Sequence, residues 1–354
     1  MTPTVVVVGT GRCGSTLLSD VLRDHPQVLS LSEFFMALQP DAFPAGELTG
    51  PQFWDLLTHP RVAIGLMVRH GIIPSEFLYP VDGGGRFSGG VDLPPICMAA
   101  LPHLTADPDD LFDELAAVVP RFATAAVGQQ YQRLFDWMAA RFDRSVVVER
   151  SGGSLAYLRE LRDLFPDARF VHVVRDAASC ALSMREHHAF RLYRIGHLLE
   201  KSTGVNPFLS TAPYDIEAVP EHLRPLIPES FDVDAYRSFD IPAAEFGLMW
   251  STMVVRGLPV LKELPPDRLY TVHYEDLVAD PPGTLAQLRR FMGLEDRGEE
   301  WATGAAARVR PPRTRDPAAS LSAEEVAELT KSTTTASRYL RRFEAARMAS
   351  EAHA

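Results

Sequence analysis

Four consecutive valines and three closely spaced glycines constrain what this chain can fold into more than any other feature. They lie in the segment VVVVGTGRCGSTLLSDVL, residues 5–22. A short, β-branched apolar run of this kind is typical of a fully buried strand rather than a helix. Gly9, Gly11 and Gly14 then allow a tight turn and a close approach of the backbone to a ligand. The segment therefore predicts a buried strand that ends in a ligand-binding turn.

A predicted helix follows that turn and makes it suitable for an anion. Ser15 and Thr16 open the helical pattern, which stops near His25 and Pro26. The free amides of the first helical turn and the positive end of the helix dipole face the ligand, beside the fixed charge of Arg12. We therefore expect a phosphate-like group to bind there.

Two well-known templates fit the segment. It matches the dinucleotide pattern G-x-G-x-x-G, and Glu33 lies 19 residues beyond Gly14, where an acid that binds a ribose would lie. It also matches a P-loop, except that Ser15 replaces the lysine that binds β- and γ-phosphates. The loss of that lysine and the presence of Arg12 favour a nucleotide without a γ-phosphate, such as a sulfuryl donor that carries a 5′-phosphosulfate.

A second basic strand end also indicates a phosphate ligand. Residues 168–174, ARFVHVV, predict another buried strand, and Arg175 follows it. Ser183 lies eight residues further along, on a predicted helix, so the guanidinium and the hydroxyl are placed to bind one phosphate together. His172, in the middle of this strand, is expected to pack in the core.

These two motifs resemble those of the PAPS-dependent sulfotransferase family, whose members use 3′-phosphoadenosine 5′-phosphosulfate. GTGRCGSTLL is similar to the family's 5′-phosphosulfate loop, and VVRDAASCALSM is similar to its 3′-phosphate motif. Further similarity lies in YLRELRDLFPDARFVHVVRD and in VHYEDLVADPPGTLAQLRRFMGL. The resemblance covers the first 35 residues and most of residues 145–295, and it makes the dinucleotide interpretation much weaker.

The resemblance implies a P-loop-NTPase-like α/β fold, a parallel sheet flanked by helices. It also implies PAPS as co-substrate, PAP as product and no metal. Arg308, Arg310, Arg313 and Arg315 lie in a proline-bearing segment that cannot be a regular helix. Similar sulfotransferases close such a basic loop over the adenosine phosphates, whereas the alternative is a solvated surface loop. The implied donor-binding residues are Gly11, Arg12, Cys13, Gly14, Ser15, Thr16, Arg175, Ser183, Arg308 and Arg310.

Sulfuryl transfer requires positive groups at the leaving oxygen and a base that takes the acceptor proton. Arg12 and the amides of residues 14–16 meet the first requirement. Glu33 ends the predicted strand VLSLSE and resembles the catalytic glutamate of several sulfotransferase branches, so it is our first candidate for the base. A structural cap or ion pair is the other interpretation of Glu33, and His187 and His188 are the alternative bases.

Arg150 is another candidate on the acceptor side. It comes shortly after the predicted strand 146–148, where similar sulfotransferases often carry lysine followed by Thr/Ser-Pro. Here arginine replaces the lysine and glycine replaces the proline. We expect Arg150 either to touch the transferring sulfuryl group or to pair with Glu149.

Strands and helical patterns alternate along the chain, which is typical of a parallel sheet covered on both faces. The predicted strands are residues 5–8, 146–148, 170–174 and 269–272. We expect one domain over residues 1–354, with a core at 1–35 and 143–300, acceptor-side helical insertions at 36–142 and 190–250, and a C-terminal basic lid and helix at 301–345. Aromatic residues that could line an acceptor pocket, but are expected mostly in the core, are Phe34, Phe35, Phe53, Trp54, Phe77 and Tyr79.

Composition limits the partners. A net charge of −11 argues against nucleic acid and polyanionic glycans as ligands. No apolar run approaches the roughly 18 residues needed to span a bilayer, and the predicted strand at residue 5 leaves no room for a signal peptide. The three cysteines are too scattered for a disulfide framework or a metal site. We expect a cytoplasmic protein with a small-molecule acceptor, and leave a homodimer open.

Three classes of function remain at this point. The first is a PAPS-dependent sulfotransferase that acts on a hydroxyl, less readily an amine, of a small apolar or aromatic metabolite. The second is a non-catalytic nucleotide-binding protein, and the third is an NAD(P)-dependent oxidoreductase. No motif identifies the acceptor as a phenol, a sugar or a lipid.

Overall fold

The computed structural model describes residues 1–89, 92–294, 299–309 and 319–351. Its strands are β1 (Thr4–Gly9), β2 (Val28–Ser32), β3 (Glu47–Leu48), β4 (Ala125–Ala126), β5 (Val146–Arg150), β6 (Arg169–Val174) and β7 (Leu269–His273). Five of them form a parallel sheet in the order β2-β5-β1-β6-β7, and β3 pairs with β4 in an antiparallel ladder. The predicted α/β fold with a parallel sheet is confirmed.

The valine-rich strand β1 lies at the centre of the sheet. All six of its residues are buried, as a parallel strand covered on both faces requires. On one side Val7 is level with Arg150 of β5, and on the other Val8 is level with His172 of β6. Strand β5 is two residues longer than predicted because its last two residues continue the ladder with β1. His172 is packed in the core, as expected.

Helices join the strands. The α-helices are α1 (Ser15–Arg23), α2 (Phe34–Ala37), α3 (Gly50–Thr58), α4 (Val62–Arg69), α5 (Pro95–Met98), α6 (Ala100–Leu104), α7 (Pro108–Val118), α8 (Val127–Arg141), α9 (Leu158–Leu164), α10 (Ala177–Arg185), α11 (His188–Thr203), α12 (Val233–Ser238), α13 (Ala243–Glu263), α14 (Tyr274–Ala279), α15 (Pro281–Met292), α16 (Glu299–Ala306) and α17 (Ala323–Glu351). Short 3₁₀ turns lie at Val119–Arg121, Ser154–Tyr157, Ile216–Ala218, Glu221–Leu226, Pro228–Ser230 and Pro266–Arg268. Over the described ranges, none of these helices combines the length and the apolar character that a membrane crossing needs.

The first insertion is anchored to the sheet by a cluster of aromatic rings. Phe34 and Phe35, just after β2, meet Tyr131 and Phe135 of α8 in edge-to-face contacts, and Phe53 of α3 lies 5.1 Å from the Tyr131 ring centroid. These rings are almost completely buried, so they stabilise the core and do not line an open pocket. The remaining aromatic candidates also pack on the core: Trp54, Phe77 and Tyr79.

The order of the strands places a crevice at the carboxyl end of β1. The strands β2 and β5 lie to one side of β1, and β6 and β7 lie to the other. Ligands of open α/β sheets bind outside the carboxyl ends of the strands, at the point where the strand order changes direction along the sheet. In a dinucleotide-binding sheet the second strand lies next to the first, whereas here β5 separates β1 from β2. Glu33, after β2, is therefore not placed as a ribose-binding acid.

Candidate active site

The turn after β1 presents backbone amides to the crevice. Gly11, Arg12 and Gly14 have positive φ angles of 76°, 55° and 94°. A Cβ atom on Gly14 would lie 2.2 Å from Cδ2 of Tyr274, so this position excludes any side chain. The amides of Arg12 and Gly14 donate to no backbone carbonyl in the described ranges, and α1 starts at Ser15 without a side-chain cap. The turn and the helix N-terminus together form an anion-binding site.

The side chain of Arg12 is fixed over this turn at two points. Its Nε donates to Oγ of Ser183 at 3.1 Å, and its Nη1 donates to Oε1 of Glu76 at 2.5 Å. One quarter of the side chain is exposed, and Nη2 donates to no other group in the described part of the chain. The guanidinium is therefore oriented, with donors left for a ligand.

Glu76 brings a carboxylate from the first insertion into the site. Its Oε1 contacts Arg12 and lies 3.5 Å from Oγ1 of Thr16, while its Oε2 accepts from Nε2 of His187 at 2.9 Å and from Oγ of Ser75 at 3.0 Å. Burial raises the pKa of Glu76, but the hydrogen bond from His187 and the charges of His187 and Arg12 outweigh it, so the pKa lies well below its usual value. Glu76 is ionised at neutral pH.

Arg175 and Ser183 reach the same turn from β6 and α10. The guanidinium of Arg175 lies 4.4 Å from the ring centroid of Tyr274, and its Nη1 donates to the carbonyl oxygen of Arg12 at 3.1 Å. Tyr274 in turn packs against Gly14. The two predicted phosphate motifs, distant in sequence, therefore meet at Arg12.

Glu33 is held by a buried ion pair at the end of β2. It has a left-handed backbone with φ 53°, and its Oε1 accepts from Nη1 of Arg150 while Oε2 accepts from the amide of Gly152 at 2.9 Å. Nη2 of Arg150 donates to Oγ of Ser32 at 2.8 Å. Arg150 thus pairs with Glu33 and not with Glu149, because successive residues of a strand point to opposite faces.

A glycine turn links Glu33 to the anion-binding turn. A Cβ atom on Gly11 would lie 3.1 Å from the amide nitrogen of Gly153, and one on Gly152 would lie 3.4 Å from Oε1 of Glu33. The 152–153 turn therefore separates Glu33 from the loop by a single layer of backbone. Gly11 of the loop and Glu33 thus approach neighbouring residues of the same turn.

Glu149 is a second buried acid beneath this site. Its Oε1 accepts from Oγ of Ser151 at 2.5 Å and from the amide of Phe35 at 3.4 Å, and the residue is fully buried. Burial raises the pKa of Glu149 to about 8 against the opposing effect of the Ser151 hydrogen bond. Glu149 is therefore mostly protonated at neutral pH.

Two predicted site residues, His188 and Arg308, lie away from Arg12. His188 turns its Nδ1 to the hydroxyl of Tyr236 at 2.9 Å, whereas its neighbour His187 faces Glu76. Arg308 forms an ion pair with Asp24, at the opposite end of α1 from the anion-binding turn. Cys13 is buried beneath the turn, and burial raises the pKa of its thiol, so it can offer only its backbone to a ligand. Arg310, Arg313 and Arg315 lie outside the described residues.

Sequence analysis missed two residues of the site. Glu76 lies in the first insertion and belongs to no motif, so nothing in its sequence context signals its contact with Arg12. Tyr274 directly follows β7, which pairs with β6, the strand that ends before Arg175. Its position at a strand end was the feature of the sequence that could have identified it. The described residues contain no group of three His, Cys, Asp or Glu side chains that could hold a metal ion.

A parallel sheet with a glycine-rich anion-binding turn between its first strand and first helix defines a P-loop-like class of α/β protein. Residues 99–207 and 229–298, just over half of the chain, match the model of the sulfotransferase family. The chain therefore belongs to the sulfotransferase family. The family resemblance found in its motifs is confirmed.

Two mycobacterial relatives are similar over most of this chain. They are the omega-hydroxy-beta-dihydromenaquinone-9 sulfotransferases of Mycobacterium bovis and Mycobacterium tuberculosis, each 25% identical over 296 residues. The match covers 83% of this chain but only 63% of each relative. This chain thus spans less than two thirds of the length of the curated relatives it matches.

Solved structures of sulfotransferases are also similar. The sulfotransferase domain from the curacin biosynthetic pathway is 17% identical, with a TM-score of 0.45, over 91% of this chain and 83% of that one. A sulfotransferase from Mycobacterium avium is 16% identical, with a TM-score of 0.42, over 96% of this chain and 76% of that one.

Proposed function

We propose that this protein transfers a sulfuryl group from PAPS to a hydroxyl group of a small apolar or aromatic metabolite. The observation that carries the proposal is the meeting of Arg12 and Arg175 at one anion-binding turn. They come from separate strand ends, and two fixed positive charges at one site suit a donor with phosphate groups at both its 5′ and 3′ positions.

The residues present fit such a donor. The amides of the turn, the Arg12 guanidinium and the hydroxyl of Thr16 are assigned to the 5′-phosphosulfate, and Arg175 and Ser183 to the 3′-phosphate. Gly14 leaves room where a side chain would collide with Tyr274. The assignment of a lid to the basic segment that starts at Arg308 rests on the family resemblance. Arg308 itself forms an ion pair with Asp24.

Glu33 is proposed as the general base. The acceptor oxygen attacks sulfur in line, the new bond forms between that oxygen and sulfur, and the bond from sulfur to the phosphate bridge oxygen breaks. The electron pair leaves with PAP, where Arg12 and the turn amides stabilise the growing charge. The acceptor proton passes to the carboxylate of Glu33 and then to solvent, so the products are a sulfate ester, PAP and a proton.

The mycobacterial relatives favour a hydroxyl over an amine, because their name specifies a hydroxylated dihydromenaquinone. The insertions around the crevice would then bind the apolar part of the acceptor.

A ligand panel followed by turnover tests the proposal. In calorimetric titrations PAP should bind, whereas ATP with magnesium and NADPH should bind at least about tenfold more weakly. Incubation with PAPS and an acceptor panel of a phenol, a sugar and an ω-hydroxylated isoprenoid should give a sulfate ester that mass spectrometry detects. Preference for NADPH would restore the oxidoreductase alternative. PAP binding without turnover on any acceptor would favour a non-catalytic nucleotide-binding protein.

A further inference from the structure

The carboxylate of Glu76 contacts groups that a donor anion would need. Its Oε1 accepts from Nη1 of Arg12 and lies 3.5 Å from Oγ1 of Thr16, the first-turn hydroxyl of α1. Only 8% of the Glu76 side chain is exposed. An ionised carboxylate thus lies at the positive end of α1, where a ligand phosphate or sulfuryl oxygen would otherwise lie.

The backbone on both sides of Glu76 is fixed, so only its side chain has to move. Ile72 and Phe77 are buried in the core, and the amide of Leu78 donates to the carbonyl of Met98 at 2.9 Å. The second carboxylate oxygen has its own donors in His187 and Ser75. Glu76 can therefore release Arg12 and remain hydrogen bonded.

We propose that Glu76 is an internal counter-ion of the donor site. Without a nucleotide it neutralises Arg12, and the anionic donor competes with it for that guanidinium. The inference rests on the proposed function only in assigning the turn to the donor. Because two like charges near one guanidinium repel each other, Glu76 lowers the donor affinity and keeps the free site closed to weaker anions.

The test compares PAP binding by calorimetry in the full-length wild type and in Glu76→Gln. Glutamine keeps the size and hydrogen-bonding capacity of the side chain but removes its charge. We expect the dissociation constant for PAP to fall about tenfold or more in Glu76→Gln. Glu47→Gln, an equal charge change at an exposed site of the same insertion, should leave it unchanged.

Thermal unfolding without ligand gives an independent readout. The melting temperature of Glu76→Gln should fall because Arg12 loses its counter-ion, although PAP binds more tightly. If that variant does not fold, Glu76→Asp, which retains the charge but withdraws it from Arg12 by one methylene, should show a smaller gain in affinity. Unchanged or weaker PAP binding in a folded Glu76 variant would overturn the inference, because Glu76 would then position Arg12 for the donor.

The inference and the proposed function fail in different ways. If the wild type binds PAP, and Arg175→Ala weakens that binding while Glu76→Gln does not change it, only the inference is wrong. If neither the wild type nor Glu76→Gln binds PAP, the donor assignment is wrong and the inference falls with it. Titration with inorganic sulfate tests the anion without the nucleoside, and Glu76→Gln should bind sulfate more tightly than the wild type does.

Discussion

The carboxylate of Glu33 and the guanidinium of Arg150 form an ion pair that is almost completely shielded from solvent, with side chains 8% and 2% exposed. Each oxygen of Glu33 accepts one N–H group, from Arg150 and from Gly152. A carboxylate oxygen has two lone pairs, so both oxygens keep the capacity to accept a further proton donor. The pair therefore fixes the direction of Glu33 without using up its acceptor sites.

Glu33→Gln should lower kcat by about 10²–10⁴ if Glu33 is the general base. Glutamine preserves the shape of the side chain and accepts hydrogen bonds but cannot take the acceptor proton. The PAP dissociation constant should stay nearly unchanged, since the turn at residues 152–153 separates Glu33 from the anion-binding loop. Steady-state kinetics under conditions where chemistry limits the rate, together with calorimetry, measure both quantities.

The buried ion pair requires a control for stability. Loss of one partner of a buried pair leaves the other charge uncompensated and typically costs about 3–5 kcal/mol, and an apolar replacement of the second partner restores much of that loss. Glu33→Gln combined with Arg150→Met should therefore regain thermal stability but not activity. A folded Glu33→Gln enzyme with kcat within severalfold of the wild type would transfer the role of base to His187, because His188 faces Tyr236 instead.

PAP binding should depend on Arg175 and Ser183. Loss of one charge-assisted contact with the 3′-phosphate should raise the dissociation constant roughly ten- to a hundredfold in Arg175→Ala and in Ser183→Ala. Arg175→Lys is the matched control, since it keeps the charge but loses the planar group that stacks on Tyr274. Wild-type affinity in a folded Arg175→Ala protein would remove the second phosphate site.

The sequence predicts those parts of the site whose residues belong to one local sequence pattern. A β-branched run and its glycines specify β1, its turn and α1 by themselves, and the same holds for the strand that precedes Arg175. Parallel strands bring their carboxyl ends to one edge of the sheet, so the sequence alone predicts that Arg12 and Arg175 lie close together.

The contacts across the site could not be predicted in the same way. The pairing of Arg150 with Glu33 depends on β2 lying next to β5, and strand order is not encoded in the local pattern of either strand. Glu76 reaches Arg12 only because the first insertion brings it to the turn that precedes α1. Such contacts join residues far apart in the chain, whose spacing carries no signal.

Gly14→Ala should abolish PAP binding. The substitution imposes a side chain at φ 94° and places its Cβ 2.2 Å from the ring of Tyr274, so both strain and collision must displace the turn. Gly83→Ala is the matched control, because Gly83 has φ 107° but no atom of the described residues would lie within 4 Å of a Cβ there. That variant should show a small loss of stability and normal calorimetric affinity, and equal affinity in both variants would contradict the structure of the turn.

Activity should survive strong chelation. Ser15 stands where a P-loop kinase carries its lysine, and a donor without a γ-phosphate does not need the magnesium that bridges β- and γ-phosphates. Rates of sulfate-ester formation in buffer with EDTA, with and without added magnesium, give the comparison. Abolition by EDTA and rescue by magnesium would indicate ATPase- or kinase-like chemistry instead.

Stability should fall as the pH rises from about 6.5 to 8, and Glu149 should be a main cause. Burial raises the pKa of Glu149 to about 8 from the 4.5 of the free side chain. Between those values the folded protein holds a proton that the unfolded chain has lost, so the contribution to stability is complete below pH 4.5 and disappears on the way to pH 8. Within this window Glu149 should lower the free energy of unfolding by about 1.4 kcal/mol per pH unit.

Glu149→Gln isolates this effect, because an amide resembles the protonated acid and does not titrate. Buried histidines change stability in the opposite direction, but only below pH 6.5, since their pKa values are lowered to about 4 for His25 and to about 3 for His103 and His172. Urea unfolding at pH 6.5, 7.25 and 8 should therefore show a decline in the wild type that is much smaller in Glu149→Gln. Equal slopes in the two proteins would mean that Glu149 is ionised in the folded state, balanced there by the nearby charge of Arg150.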